Sequence, residues 1–178
     1  MWYNDCALET NQQETDIGVG ENGLSELLPH RPPMVLIDGV ESFDDVGRSL
    51  VAFVKIRPDS PFFVLGSGVP SWVAIEYMAQ AAAALVGRCD QLTTPGASPR
   101  PGFLLGTRKL SLDLERFEEG ETYRIFAGET FSDGAAAAFE CRISDPSGNV
   151  VASASLNAFR PQNFTEFLEQ QSSLTPNP

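Results

Sequence analysis

Basic residues, histidine and cysteine are all scarce in this chain, and each shortage removes a class of function. Twelve lysines and arginines stand against twenty-four aspartates and glutamates, a formal net charge of -12 at pH 7. Nucleic acid and anionic lipid surfaces repel a body of that charge, so neither is expected as a partner. A local basic patch is still open to Arg100, Arg108 and Lys109, which lie close in sequence, although such groups are commonly solvated strand and loop charges. One histidine, His30, and three widely spaced cysteines, Cys6, Cys89 and Cys141, provide neither a paired-cysteine motif nor a second imidazole for a metal site. Reduced thiols are expected, and no metal or cofactor. Residues 1–23 carry acids and glutamines in place of a basic segment followed by an apolar run, so no secretory signal is expected and the cytoplasm is the default. The main apolar stretch, 70–86, is slightly short for the roughly 20 residues a bilayer demands. It also contains Glu76 and Gln80, so no membrane span is expected.

What is present fits one domain with tails. The 178 residues, 42% hydrophobic and 20% charged, suit a globular chain with a single core. Residues 1–23 have few apolar anchors and are expected to form a flexible arm, which leaves a domain over 24–161. Over 162–178, Phe164, Phe167 and Leu168 share one helical face before the chain turns polar, so a short covering helix and a loose tail are expected. Within the domain, Leu24–Leu28 reads as a helical turn closed by Pro29, Met34–Val40 as a buried strand, and Ser49–Arg57 as its paired neighbour.

From Pro70 to Val86 the pattern changes. Trp72, Val73, Ile75, Met78, Ala79, Ala82, Ala83 and Val86 cover nearly every side of a helix, with Pro70 or Ser71 suited to its first turn and Gly87 to its stop. A helix apolar all round is a buried one. After a loop over 92–102, Phe103–Leu112 reads as a strand. Tyr123, Ile125, Ala127, Glu129 and Phe131 then share one side of the next strand, and the Ser132-Asp133-Gly134 turn leads to Ala137, Phe139, Cys141 and Ile143. A second turn, Asp145 to Asn149, delivers the chain into Val150–Phe159. One buried helix among about six strands, the last three in a meander, predicts an α+β fold in which a curved antiparallel sheet wraps the helix. The open sheet edges predict a homo-oligomer, most simply a two-fold dimer.

Four segments resemble the β-hydroxyacyl-[acyl-carrier-protein] dehydratases of the hotdog superfamily. They are Leu27-Leu28-Pro29-His30-Arg31-Pro32-Pro33-Met34, Pro61-Phe62-Phe63, Ile75-Glu76-Tyr77-Met78-Ala79-Gln80-Ala81, and Phe103-Leu104-Leu105-Gly106-Thr107-Arg108-Lys109-Leu110. The ApeP-like branch, found with aryl polyene and related type II polyketide or fatty-acid-like pathways, is the more similar one. It too has a tryptophan just before the helix, as Trp72 is here, and a final strand resembling Ser155-Leu156-Asn157-Ala158-Phe159. The resemblance implies a hotdog fold, a double-hotdog dimer, and handling of a 3-hydroxyacyl or enoyl chain presented as a thioester on an acyl carrier protein. Such carriers are acidic, which gives the Arg100, Arg108 and Lys109 group a docking role.

Dehydration requires removal of the proton next to the thioester carbonyl, protonation of the departing hydroxyl, and stabilisation of the oxyanion. The resemblance divides this work between a histidine and a helix carboxyl group, with backbone amides at the helix start polarising the carbonyl. Glu76 matches the carboxyl position, and among Trp72, Val73, Ile75 and Ala79 it is expected to be desolvated, which favours its acid form. A structural reading also stands, in which Glu76 pairs with an arginine or marks the polar edge of a less buried helix. Gln80, one turn on, either hydrogen-bonds Glu76 or is a satisfied core amide. The family's usual catalytic histidine lies in a glycine-histidine-phenylalanine-proline segment. Here that stretch is Val64-Leu65-Gly66-Ser67-Gly68-Val69-Pro70, shorter and without histidine. His30 matches a different part of the family pattern, and either acts at a site assembled between subunits or bonds backbone at the first strand. Ser67 and Gly68 either supply an oxyanion pocket or form an ordinary turn, and with Gln80 and Trp72 they complete the substrate-contacting candidates. Three functions remain open: a dehydratase using Glu76 and His30, a non-catalytic hotdog subunit that binds acyl chains or pairs with a histidine-bearing homologue, and a thioesterase. An approach of His30 to Glu76 across a dimer interface, within about 3 to 7 Å to allow a bridging water, is the observation expected to favour the first.

Overall fold

The computed structural model describes residues 15–19, 21–161, 163–167 and 169. In chain order these form β1 (Thr15–Val19), α1 (Glu21–Leu27), β2 (Gly39–Asp44), β3 (Ser49–Lys55), β4 (Val69–Pro70), a 3₁₀ turn (Ser71–Val73), α2 (Ala74–Thr93), β5 (Phe103–Leu112), β6 (Arg116–Phe117), β7 (Thr122–Ser132), β8 (Ala136–Ser144) and β9 (Val150–Phe159). Seven strands make one sheet in the order β1-β2-β3-β7-β8-β9-β5, every neighbouring pair antiparallel, while β4 and β6 pair separately.

Strand alternation places the core. Leu50, Ala52 and Val54 of β3, Tyr123, Ile125 and Ala127 of β7, Phe139, Cys141 and Ile143 of β8, and Ala152, Ala154 and Leu156 of β9 are buried on the face that meets α2. The alternation expected on β7 stops at a register shift between Glu129 and Phe131, which turns Phe131 out to 55% exposure. Burial also pushes the Cys141 thiol up to about 12, as suits an inert reduced cysteine.

The alanines of α2 combine high helix propensity with small volume, so the sheet can close against Ala74, Ala81, Ala82 and Ala84 while Tyr77, Met78 and Leu85 fill the spaces between. The helix was expected to stop at Gly87 and instead continues to Thr93. Gly87 is needed for close approach: a Cβ there would sit 2.1 Å from the Leu27 carbonyl oxygen, where α1 crosses α2.

Two other expectations are corrected. The strand expected over Met34–Val40 begins only at Gly39, and 34–37 pass over α2 as irregular chain because Gln80 takes their backbone hydrogen bonds. The arm expected over 1–23 already contains β1, which pairs along β2 with Thr15 opposite Phe43 and Val19 opposite Val40, and the first turn of α1. An edge strand is held by ladder hydrogen bonds, so it needs no apolar period to form. Residues 1–14 lie outside the described residues, as do 171–178 of the expected tail. Before that tail, 164–167 form a single helical turn whose Phe164 and Phe167 rings pack on Phe103, and Phe167 also on Phe159. No helix among the described residues is long and apolar enough to cross a membrane.

Candidate active site

Glu76 lies in the first turn of α2. It is oriented by Gln80, one turn later and fully buried, whose Nε2 donates to Glu76 Oε1 and to the Met34 carbonyl, both at 2.8 Å. The Gln80 Oε1 accepts the Leu36 N–H at 2.8 Å. Both donors and the oxygen of the amide therefore have partners within the chain, and it ties the helix carboxylate to the strap formed by 34–36. Both readings of Gln80 hold: it is a satisfied core amide because it holds Glu76. As a substrate contact it is displaced, since no part of it lines the cavity beside Glu76.

His30 comes to the same place from the other side. Leu27 and Leu28 are buried at the end of α1, and Arg31 donates to the Leu28 and His30 carbonyls at 2.9 and 2.7 Å, which fixes the backbone between them. The imidazole Nε2 then stands 3.8 Å from Glu76 Oε1. This separation is too long for a hydrogen bond and short enough for a proton to pass through one intervening atom. The approach expected across a dimer interface occurs inside one chain. The His30 Nδ1 atom is buried and has no hydrogen-bond partner among the described residues. Glu76 and His30 keep 38% and 33% of their side-chain exposure, so the chain alone does not give Glu76 the enclosure its apolar neighbours suggested.

Both groups line a cavity of about 310 Å³, at the lower end of ligand-site volumes. Ala79, Ala82, Ala83 and Val86 form its floor along α2, and Ala137, Phe139, Leu156 and Ala158 of β8 and β9 face them. Small side chains on both walls leave an oily slot. It also reaches Asp90, which is fourteen residues beyond Glu76 and so about 21 Å along the helix at 1.5 Å per residue.

The remaining candidates lie elsewhere in the single chain. Trp72 is 59% exposed, its ring edge-on to Phe62 at 5.6 Å, because the 3₁₀ turn before α2 breaks the phase of the helix and points this residue outward. Ser67 and Gly68 close a turn in which both amides donate to the Val64 carbonyl at 2.8 and 3.0 Å. A Cβ on Gly68 would meet the Phe117 carbonyl at 2.1 Å, so this glycine serves close packing on β6. Trp72, Ser67 and Gly68 line no part of the cavity that holds Glu76. The sequence pattern did not mark a charged group at the other end of the slot, made of Arg48, Asp90, Glu129 and Arg160, and it assigned Arg100, which also lines that end, to a docking patch. Its ion pairs join residues 81 and 70 positions apart, so no local motif marks them. The register that sets Ser49 opposite Gly128 is what brings Arg48 to Glu129.

A central helix wrapped by an antiparallel sheet is the hotdog fold, and here a carboxyl and an imidazole stand at one end of an apolar slot along that helix. The profile of the ApeP-like dehydratases matches residues 23–169, and the chain belongs to that family. Its fold is similar to "The Dehydratase Heterocomplex ApeI:P from Xenorhabdus doucetiae", at 31% identity and a TM-score of 0.73 over 83% of this chain and 95% of that one. Among curated relatives it is 37% identical over 73 residues to the 3-hydroxyacyl-[acyl-carrier-protein] dehydratase FabZ of Chlamydia muridarum, covering 39% of this chain and 48% of that protein. Its identity to the FabZ of Anaeromyxobacter dehalogenans is 42% over 67 residues, 35% of this chain and 42% of that protein. The chain thus spans less than half the length of the curated relatives it matches.

Proposed function

We propose that this protein dehydrates 3-hydroxyacyl thioesters carried on an acyl carrier protein in fatty acid or polyketide synthesis, with Glu76 and His30 as its acid and base. The observation that carries this reading is the 3.8 Å approach of His30 Nε2 to Glu76 Oε1 at one end of the apolar slot. In the forward step neutral His30 accepts the proton next to the thioester carbonyl. The carbon–oxygen bond at the third carbon breaks, and the proton of the Glu76 carboxyl passes to the departing hydroxyl as water. The product is the enoyl thioester, and the proton now on His30 returns to Glu76 through a water molecule bridging the two, so no co-reactant is consumed. Gln80 holds Glu76 in place for both transfers. The chemistry requires no metal or cofactor.

A second reading has its own support. The stretch that carries the family's usual histidine has none here, and a similar solved structure is a dehydratase heterocomplex. In that reading the chain pairs with a histidine-bearing hotdog protein and contributes slot and sheet. Assay of the purified chain on a 3-hydroxyacyl thioester separates the two. Enoyl product lost on Glu76→Gln and on His30→Ala, by at least about a hundredfold, supports the first. Product only when a co-purified hotdog subunit is present supports the second, and free thiol would mean a thioesterase.

Carrier docking falls to Arg108 and Lys109, both exposed on β5. Arg100 is 3.6 Å from Asp90 and belongs to the slot. Charge reversal at Arg108 and Lys109 should weaken carrier binding several-fold and flatten its salt dependence. Unchanged affinity would place the docking surface elsewhere.

A further inference from the structure

The slot is apolar over most of its length and ionic at the end away from Glu76. There Arg48 makes a bidentate pair with Glu129, with Nε and Nη2 2.6 and 2.9 Å from the two carboxylate oxygens. Arg160 contacts both oxygens of Asp90 in the same way. All four side chains line the slot, and Asp90 lies near the C-terminal end of α2. The Glu129 side chain is only 8% exposed, Asp90 and Arg160 keep 20% and 22%, and Arg48 keeps 45%.

We propose that the Arg48–Glu129 and Arg160–Asp90 pairs are a charged stop that fixes the length of saturated acyl chain the slot accepts. The inference rests on the acyl-thioester reading above and adds the residues that set chain length. A chain anchored at Glu76 advances along Ala79, Ala83 and Val86, where each methylene leaves water for an apolar wall. Once its methyl terminus reaches the ion pairs, further advance strips the remaining water from part-buried charges and returns no hydrogen bond. Affinity therefore rises with length and then breaks. A hydroxyl at the terminus bonds to those same groups and relieves the penalty.

The test is calorimetric titration of the full chain, together with any hotdog subunit that co-purifies. The probes are pantetheine thioethers with saturated chains from butyl to hexadecyl, which neither dehydrate nor hydrolyse. Each methylene before the break should tighten binding by up to about fourfold, the equivalent of ~0.8 kcal/mol. Beyond it affinity should level or fall. Two changes should each weaken the break. One is the double substitution Arg48→Met with Glu129→Leu, which replaces both partners of one pair, orphans neither charge and leaves Arg160–Asp90 in place. The other is a terminal hydroxyl on the first chain past the break, tested on the unaltered protein so that folding of a variant is not at issue, with an expected recovery of roughly tenfold. A steady rise with no break overturns the proposal, as does a break left unchanged by the terminal hydroxyl or by the folded double variant. Failure of every thioether to bind overturns the acyl-thioester reading itself, whereas binding without a break overturns only the stop.

Discussion

Gln80 is the residue on which the site's geometry turns. Its amide serves the Leu36 N–H, the Met34 carbonyl and the Glu76 carboxylate together. Gln80→Leu keeps the volume and loses all three bonds, and each buried group left unpaired costs about 1–3 kcal/mol. The variant should melt several degrees lower, and its pH–rate profile should shift because Glu76 loses its holder. An unchanged profile in a folded variant would assign Gln80 to packing alone. Residues in the helix motif were legible from sequence because a carboxyl and an amide one turn apart share a face. The partner of Glu76 was harder to see. His30 is 46 positions away, and only the strap held by Gln80 and the packing of Leu27 and Leu28 bring it back to the helix. Glu76 was also expected to be more enclosed than it is, because an all-apolar sequence pattern cannot tell a wall inside the chain from one left for a partner.

The elements were legible where a period ran long enough. The last three long strands and the central helix follow their apolar spacing, whereas β1 carries no such pattern and is held by its ladder to β2. Gly87 shows how tertiary packing overrides a local signal, since a residue suited to ending a helix sits inside one. Gly87→Ala gains about 1 kcal/mol of helix propensity. Against this, the new methyl meets the Leu27 carbonyl oxygen at 2.1 Å. Such overpacking costs about 1–3 kcal/mol, and backbone on both sides cannot turn aside. The clash should win, and thermal denaturation should show a lower Tm. A rise in Tm would mean that α1 moves away freely.

At the scale of the molecule, β1 and β5 are the outer strands of the sheet, and β5 exposes Leu104 and Leu105 at 43% and 67%. An open edge with exposed leucines is an aggregation hazard unless another sheet joins it. The protein should therefore sediment as a pair of hotdog subunits, and Leu105→Glu should release single chains without loss of secondary structure. A monomeric parent protein would contradict this assembly. Pairing would also cover what remains exposed around Glu76, which makes assembly and activity parts of one claim.

That claim is that Glu76 and His30 together eliminate water from an acyl chain lying in the slot. The most direct measurement is enoyl formation from a 3-hydroxyacyl thioester by the intact assembly, comparing the parent protein with Glu76→Gln and His30→Ala at equal melting temperature and oligomeric state. The predicted result is enoyl product from the parent and a loss of at least about a hundredfold in each variant. Undiminished turnover in either variant would contradict the account.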